Sequence, residues 1–362
     1  MAPSQVLKTP ATELFGIKHP VLLAGMNVAA GPRLAAAVTN AGGMGVIGGV
    51  GYTPEQLQQN IDDLVSQLDD KNAPYGVDLL LPKVGSGARA TNYDYTKGQL
   101  GELIDVIIKN KAKLFVCAVG VPPREVVDKM HAAGIPVMNM VGAVKHVKYA
   151  LDVGCDIICA QGGEGGGHTG AVPTSVLIPK VIDACRGRSS PLTGGPVQVI
   201  AAGGIFDSRG LAMSLAAGAS AVWVGTRFVA AEEAGAPPRH KKGVVAAGYD
   251  DTHRTLIYTG RPLRIIKNDY SKDWETNRSK ECAEVCAKGK LPFEYDVEKR
   301  EKDGKPFVGV EYIKAMPLLC GAVAGAIDEG LPAKAIVDEM VSGAAKLLAS
   351  SASFVVAPQA RM

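Results

Sequence analysis

Val199-Ile-Ala-Ala-Gly-Gly-Ile205 is an unbroken apolar run that stops on two glycines, and 21 residues beyond Gly204 a second run, Ala221-Val-Trp-Val-Gly-Thr-Arg-Phe228, stops on Gly225. Continuous rather than alternating apolarity marks parallel strands that are covered on both faces. The same kind of run recurs at 21–24, 44–47, 76–81, 114–118, 136–140 and 155–160, and with 197–201 and 221–224 the set numbers eight, its starts 19 to 42 residues apart. Helical stretches fill the gaps. Thr53-Pro54-Glu55 opens one over 56–68, with Thr53 as N-cap and Pro54 at the first helical position, and Pro122-Pro123 opens another over 124–133. Eight β-then-α units predict an α/β fold, a (β/α)8 TIM barrel, with a doubly wound sheet as the alternative because strand count does not prove closure.

The rest of the chain fits that frame. Of 362 residues 47% are hydrophobic, enough for a large core and too many for a disordered chain. A net charge of +3 does not point to a nucleic-acid partner. No apolar stretch approaches ~18 residues, so no membrane span is expected. The start, Met1-Ala-Pro-Ser-Gln-Val-Leu-Lys8, lacks the apolar core of a secretory signal, so a cytoplasmic location is expected, with a peroxisomal one as the alternative through the terminal Ala360-Arg361-Met362. Residues 236–305 break the pattern: 28 of the 70 are charged, 16 basic and 12 acidic, which leaves the segment at +4 and the remainder at −1. Placed after the eighth strand, this insert reads as a lid or substrate domain over 236–315, on a barrel formed by 1–235 and 316–362. The loop 82–97, which contains Tyr93-Asp94-Tyr95, is long enough to be functional. Seven cysteines, an odd number, include two C-x-x-x-C pairs without a completing histidine pair, and they read as structural thiols rather than metal ligands.

Two G-x-G-x-x-G matches are decoys. Gly43-Met-Gly45-Val-Ile-Gly48 follows a helix and enters a strand, the reverse of a dinucleotide fingerprint. Gly165-Gly-Gly167-His-Thr-Gly170 follows a strand, but no helix opens before about Thr174 and no acidic residue stands ~20 positions on. Glycine turns after strands seven and eight of a barrel are the usual phosphate site, so Gly203, Gly204 and Gly225 predict a phosphate-bearing cofactor. The stretch Gln161-Gly-Gly-Glu-Gly-Gly-Gly-His-Thr-Gly170 has six glycines in nine residues after Gln161 and holds one imidazole at the end of strand six. Packing does not call for such a sequence. Close approach to a flat ligand does, and His168 there is a candidate general base with an ordinary pKa near 6.5.

These stretches, with Val21-Leu-Leu-Ala-Gly-Met26, Asn40-Ala-Gly-Gly-Met-Gly-Val-Ile-Gly48, Ala202-Gly-Gly-Ile205, Gly225-Thr-Arg-Phe228 and, in the insert, Tyr258-Thr-Gly-Arg-Pro-Leu-Arg264, resemble the nitronate monooxygenase family, formerly 2-nitropropane dioxygenases, which includes flavin-dependent enoyl-acyl-carrier reductases. The resemblance implies an FMN enzyme. The FMN phosphate would rest on Gly203, Gly204, Gly225 and Thr226. The isoalloxazine would lie across Ala24, Gly25 and Met26, with Gln161 near its polar edge and Gly166 and Gly167 against it. His168 would take the α-proton of a nitroalkane. Relatives often carry asparagine where this chain has Asp78, and a carboxylate there would disfavour an anionic reduced ring unless it is protonated or turned away. The implied activity is oxidation of alkyl nitronates, and of nitroalkanes, by O2 to a carbonyl compound and nitrite. The alternatives are an FMN-dependent NAD(P)H reductase of quinones or enoyl thioesters and a flavin-binding protein without turnover. The partners are the small-molecule substrate and O2, and a homodimer is compatible with the reading.

Overall fold

The computed structural model describes residues 5–84 and 87–355. Its strands, in chain order, are β1 (Val21–Leu23), β2 (Gly45–Gly49), β3 (Tyr75–Leu80), β4 (Leu114–Ala118), β5 (Val137–Val141), β6 (Ile157–Gln161), the two-residue β7 (Gly167–His168), β8 (Gln198–Ala202), β9 (Ala221–Val224), β10 (Thr252–Thr255) and β11 (Leu263–Ile266). The first six pair in parallel with β8 and β9 in the order β1-β9-β8-β6-β5-β4-β3-β2. The ring then closes: Leu22 bridges Met44 in parallel, the Leu23 N–H donates to Met44 O at 2.9 Å and the Met44 N–H donates to Val21 O at 3.0 Å. A closed barrel therefore replaces the doubly wound alternative. Strand edges differ from the sequence reading by a residue or two, because apolar periodicity does not mark where a ladder ends.

Alternation along each strand sorts the core into two layers. Leu22, Met44, Val46, Leu114, Val116, Met138, Ile157, Cys159, Ile200, Ala221 and Trp223 fill the barrel interior. Their neighbours Val21, Leu23, Val77, Phe115, Val137, Ile158, Val199 and Val222 face the surrounding helices. Helix Pro54–Ser66 starts as expected: Thr53 Oγ1 accepts from the Gln56 N–H while Gln56 Oε1 accepts from the Thr53 N–H. An N-terminal helix, Pro10–Phe15, was not legible as a barrel element, yet its Ala11 and Phe15, with Ile17, join the interior cluster. The backbone N–H groups of Lys18 and His19 bond to Gly42 O ahead of β2, so this helix stoppers the N-terminal end of the barrel. Function is left to the other end.

The segment after β9 contains helices Pro238–Ala246, Asp269–Thr276, Ser279–Ala287, Pro292–Lys302 and Val310–Ala315 around the antiparallel pair β10 and β11. It carries a small core of its own, where Trp274, Ile257 and Cys282 are buried together and the Arg278 guanidinium stacks 3.6 Å above the Trp274 ring. After it come a short turn of helix at Ala322–Ala326 and helix Ala333–Ser351. No described helix is long and apolar enough to cross a membrane. The terminal Ala360-Arg361-Met362 lies outside the described residues.

Candidate active site

The glycine-rich loop leaves β6 at Gln161 and folds back across the strand ends. Its Gly162 N–H donates to Ala202 O at 2.9 Å and its Gly163 N–H to Val172 O at 2.7 Å. Beneath it, Gly203 and Gly204 take consecutive left-handed conformations, with φ of +89° and +75°. An L side chain there costs about 1–2 kcal/mol per residue, and at Gly203 a Cβ would also stand 2.8 Å from the Gly162 nitrogen. Among the described residues the N–H groups of Gly203, Gly204 and Gly225 meet no protein acceptor. They directly follow the adjacent strands β8 and β9, so three bare donors stand at the same end of neighbouring strands, where an anion cradle can form. Thr226 opens the short helix Thr226–Val229, and its hydroxyl accepts the Gly321 N–H at 2.8 Å, which leaves its own proton to donate elsewhere.

Glu164 does not enter the cradle. Its carboxylate accepts the Thr174 N–H at 2.9 Å, and the Thr174 hydroxyl sits 2.7 Å from both Glu164 Oε2 and Gly203 O. One threonine thus fastens the loop to the β8 turn and draws the negative charge off the bare donors. The far side of the loop rests on the returning chain: a Cβ on Gly166 would fall 2.6 Å from the Cys320 carbonyl carbon, and one on Gly321 would fall 2.6 Å from Glu164 O.

Around the cradle, Ala24, Met26 and Gly225 meet, for a Cβ on Gly225 would touch Met26 Sδ at 3.4 Å and the Ala24 Cβ at 3.5 Å. Gly25 lies directly against Asp78: a side chain there would strike Asp78 Oδ2 and stand 2.7 Å from its Cβ. Asp78 occupies an inward position of β3, is 2% exposed, and its Oδ1 has no hydrogen-bond partner. Burial pushes its carboxyl up to about 8.

Gln161 and His168 are tied together. Gln161 Nε2 donates to the His168 carbonyl at 2.9 Å and reaches Gly166 O at 3.4 Å, so its amide nitrogen shapes the loop. Gly167, at φ +66°, turns the chain so that Gly167–His168 becomes β7 and pairs antiparallel with β11, His168 opposite Leu263. The insert therefore runs beside the residue on which the chemistry was expected to rest, with the Thr169 N–H donating to Pro262 O at 3.2 Å. His168 Nε2 lies 3.1 Å from Thr259 Oγ1. The ordinary imidazole pKa expected from sequence is corrected here: burial first, and the nearby Arg261 charge second, lower it to about 4.

Thr259 and Arg261 were not singled out in the sequence as site residues, although both lie in the Tyr258–Arg264 motif. Arg261 Nε donates to Asn92 Oδ1 at 3.1 Å and its Nη1 to Val119 O at 3.3 Å, which joins the long loop 82–97 to the insert. Arg264 donates twice to Gly163 O, at 3.2 and 2.9 Å, and Arg254 donates to Gly170 O at 2.8 Å. Arg89 reaches Gly260 O at 3.4 Å. Among the described residues none of these four arginines has a carboxylate partner.

The family model described as nitronate monooxygenase matches residues 8–343. A (3aS,4S,5R,7aS)-5-hydroxy-7a-methyl-1-oxo-octahydro-1H-indene-4-carboxyl-CoA dehydrogenase from Rhodococcus jostii is 37% identical over 73% of this chain and 67% of its own length. A probable nitronate monooxygenase from Staphylococcus saprophyticus is 30% identical over 73% of this chain and 80% of its own. The solved structure of FabK from Thermotoga maritima superposes with a TM-score of 0.76 at 29% identity, covering 96% of this chain and all of that one.

Proposed function

Because the chain belongs to the nitronate monooxygenase family, and so is an oxidoreductase of that family, we propose that it binds FMN and oxidises alkyl nitronates, with His168 as the base that extends the reaction to neutral nitroalkanes. One observation carries the reading: a single loop, 161–170, holds His168 and is packed at once on the Gly203 turn and on the Thr226–Gly321 pair. The residues suit the cofactor. Bare N–H donors at Gly203, Gly204 and Gly225, with Thr226, match a terminal phosphate, while the partnerless Oδ1 of Asp78, a side chain packed against Gly25, matches a buried ligand that carries hydrogen-bonding groups of its own. Ala24, Gly25, Met26, Gln161, Gly166 and Gly167 would flank the ring.

FMN, when bound, would supply the acceptor for the substrate's electrons and O2 would be the final oxidant and the source of the carbonyl oxygen, with a carbonyl compound and nitrite as the products of this reading. The chain's own groups do the rest. His168, neutral near pH 7, is a free acceptor for an α-proton. Arg261, whose charge adds to burial in holding the imidazole neutral, stabilises the nitronate anion that forms beside it, and that anion in turn raises the basicity of His168 during the transfer. Thr259 and the Gln161–His168 bond hold the imidazole in place. The 236–315 insert acts as the lid, since its Thr259 hydrogen-bonds to His168 Nε2 and its β11 pairs with β7.

A second reading is favoured by the four arginines without carboxylate partners: reduction or dehydrogenation of a thioester whose carrier bears phosphates, as the name of the 37% identical relative would suggest. Anaerobic mixing of the flavin-loaded protein with propyl nitronate and, separately, with NADH or NADPH divides the two. Flavin bleaching by the nitronate alone is the expected result, and bleaching by the nicotinamide alone would move the assignment to the second reading.

A further inference from the structure

Asp78 is the one described carboxylate buried in the barrel interior with an unpartnered oxygen. Its surroundings contain nothing to balance a negative charge. Gly25 from the end of β1 and Gly48 from β2 press on it, the latter so closely that a Cβ there would stand 3.0 Å from the Asp78 Cβ. Val116 of β4 lies opposite it in register. The titratable groups near it are the thiols of Cys159 in the barrel interior and of Cys117 on the helix-facing side of β4, both pushed up by burial first and further by the Asp78 charge, with Cys155 also acting on Cys117, and no cation is among its neighbours. A carboxylate with no positive partner and no donors toward one of its oxygens is among the costliest groups to bury. The neutral acid escapes that cost, and it gains a proton donor that has nowhere in the protein to go.

We propose that Asp78 serves as a neutral carboxylic acid that donates a hydrogen bond to the bound cofactor, so that retention of the cofactor depends on pH through this one side chain. The inference rests on the FMN reading above. An acid that donates and an amide that donates are interchangeable in this role, whereas a carboxylate is not. The close contact with Gly25, which admits no side chain, puts the acid beside the Ala24–Met26 segment, where the ring is placed by that reading. Ionisation would remove the donor and leave an uncompensated charge beneath the ring.

Linkage sets the sign. If the protonated form binds FMN more tightly, the FMN dissociation constant is flat below about pH 8 and rises above it, by up to tenfold per pH unit, until the acid of the complex ionises. The free protein shows the same group independently. An aspartate normally titrates near 3.9, so a carboxyl raised to about 8 in the fold makes stability fall steadily between those values and level off above them.

The test uses the whole chain with FMN titrated into apoprotein between pH 6 and 9.5, for the natural protein, Asp78→Asn and Asp78→Leu. The natural protein should bind more weakly above pH 8, Asp78→Asn should bind with no pH dependence in that range, and Asp78→Leu should bind at least tenfold more weakly at all pH values. Thermal unfolding of the apoproteins gives a readout that needs no flavin: the melting temperature of Asp78→Asn should gain on that of the natural protein as pH rises from 4 to 8. A protonated-carboxyl C=O band near neutral pH, lost in Asp78→Asn, gives a third. Failure of every form to bind FMN would overturn the FMN reading while leaving the melting and infrared results to decide whether the acid is neutral. A dissociation constant independent of pH up to 9.5 in the natural protein, or loss of FMN in Asp78→Asn, would overturn the role proposed for Asp78.

Discussion

The side chain of Gln161, at the last position of β6, donates its amide N–H to the backbone carbonyl of His168 seven residues on, at 2.9 Å. The barrel strand thereby helps to set the position of the loop residue to which the chemistry is assigned. Removal of this bond should cost both folding and catalysis. Leaving a partner of a buried hydrogen bond unsatisfied costs about 1–3 kcal/mol of stability, so Gln161→Leu should lower the melting temperature and, per FMN retained, lower kcat for a neutral nitroalkane by up to roughly 5- to 150-fold. An unaltered kcat would show that the loop is held by its other contacts.

Gly204 gives a test of the cradle. A β-branched residue at φ +75° is strained and brings side-chain atoms toward the Glu164 Cβ, 3.2 Å from the Cβ position, and across the bare N–H groups. Gly204→Val should fold with a somewhat lower melting temperature and purify colourless. Flavin released by heat from the natural protein should run as FMN and not FAD. Retained FMN in the valine variant would place the phosphate elsewhere.

The low pKa of His168 has a consequence for the pH profile. The folded value, about 4, lies below the ordinary 6.5, so the imidazole is neutral throughout the range in which a free histidine titrates. Turnover of a neutral nitroalkane should therefore show no acid limb between pH 6 and 7, and should fall only as pH approaches 4 to 5. The same shift favours folding above pH 6.5 and that contribution is lost as pH falls toward 4. An acid limb at 6.5 would mean that the buried, Arg261-flanked state does not persist when substrate binds.

Arg261→Met separates the two effects assigned to that guanidinium. Without the neighbouring charge the imidazole should become easier to protonate, so the acid limb should move up toward the ordinary value. The nitronate, an anion, should show a higher KM, while a neutral nitroalkane should keep its KM and lose kcat. A uniform rise of both KM values with an unmoved pH profile would make Arg261 a structural tie between the insert and loop 82–97, through Asn92 and Val119.

How much of this was legible in the sequence follows from what leaves a local signature. The barrel was, because continuous apolar runs such as 114–118 and turn glycines such as Gly203 and Gly204 report strand burial and backbone conformation directly. Ring closure was not, since the Leu22–Met44 bridge is a long-range pairing that no periodicity encodes. His168 stood out through its glycine-rich surroundings. Its pKa did not, because that depends first on burial in the fold and then on Arg261, 93 positions away in the chain and brought near by the pairing of β7 with β11. The helix Pro10–Phe15 was missed for a related reason: six residues carry too little periodicity to show that their apolar face plugs a barrel.

The most direct test of the account is His168→Asn assayed on two substrates. A neutral nitroalkane needs its α-proton removed, a step for which a positioned base is typically worth ~10²–10⁴-fold, and a pre-formed nitronate has already lost it. The variant should keep its FMN, lose roughly that factor on the nitroalkane, and oxidise the nitronate at close to the natural rate. Equal losses on both substrates, with FMN still bound, would contradict the assignment of His168 as the base.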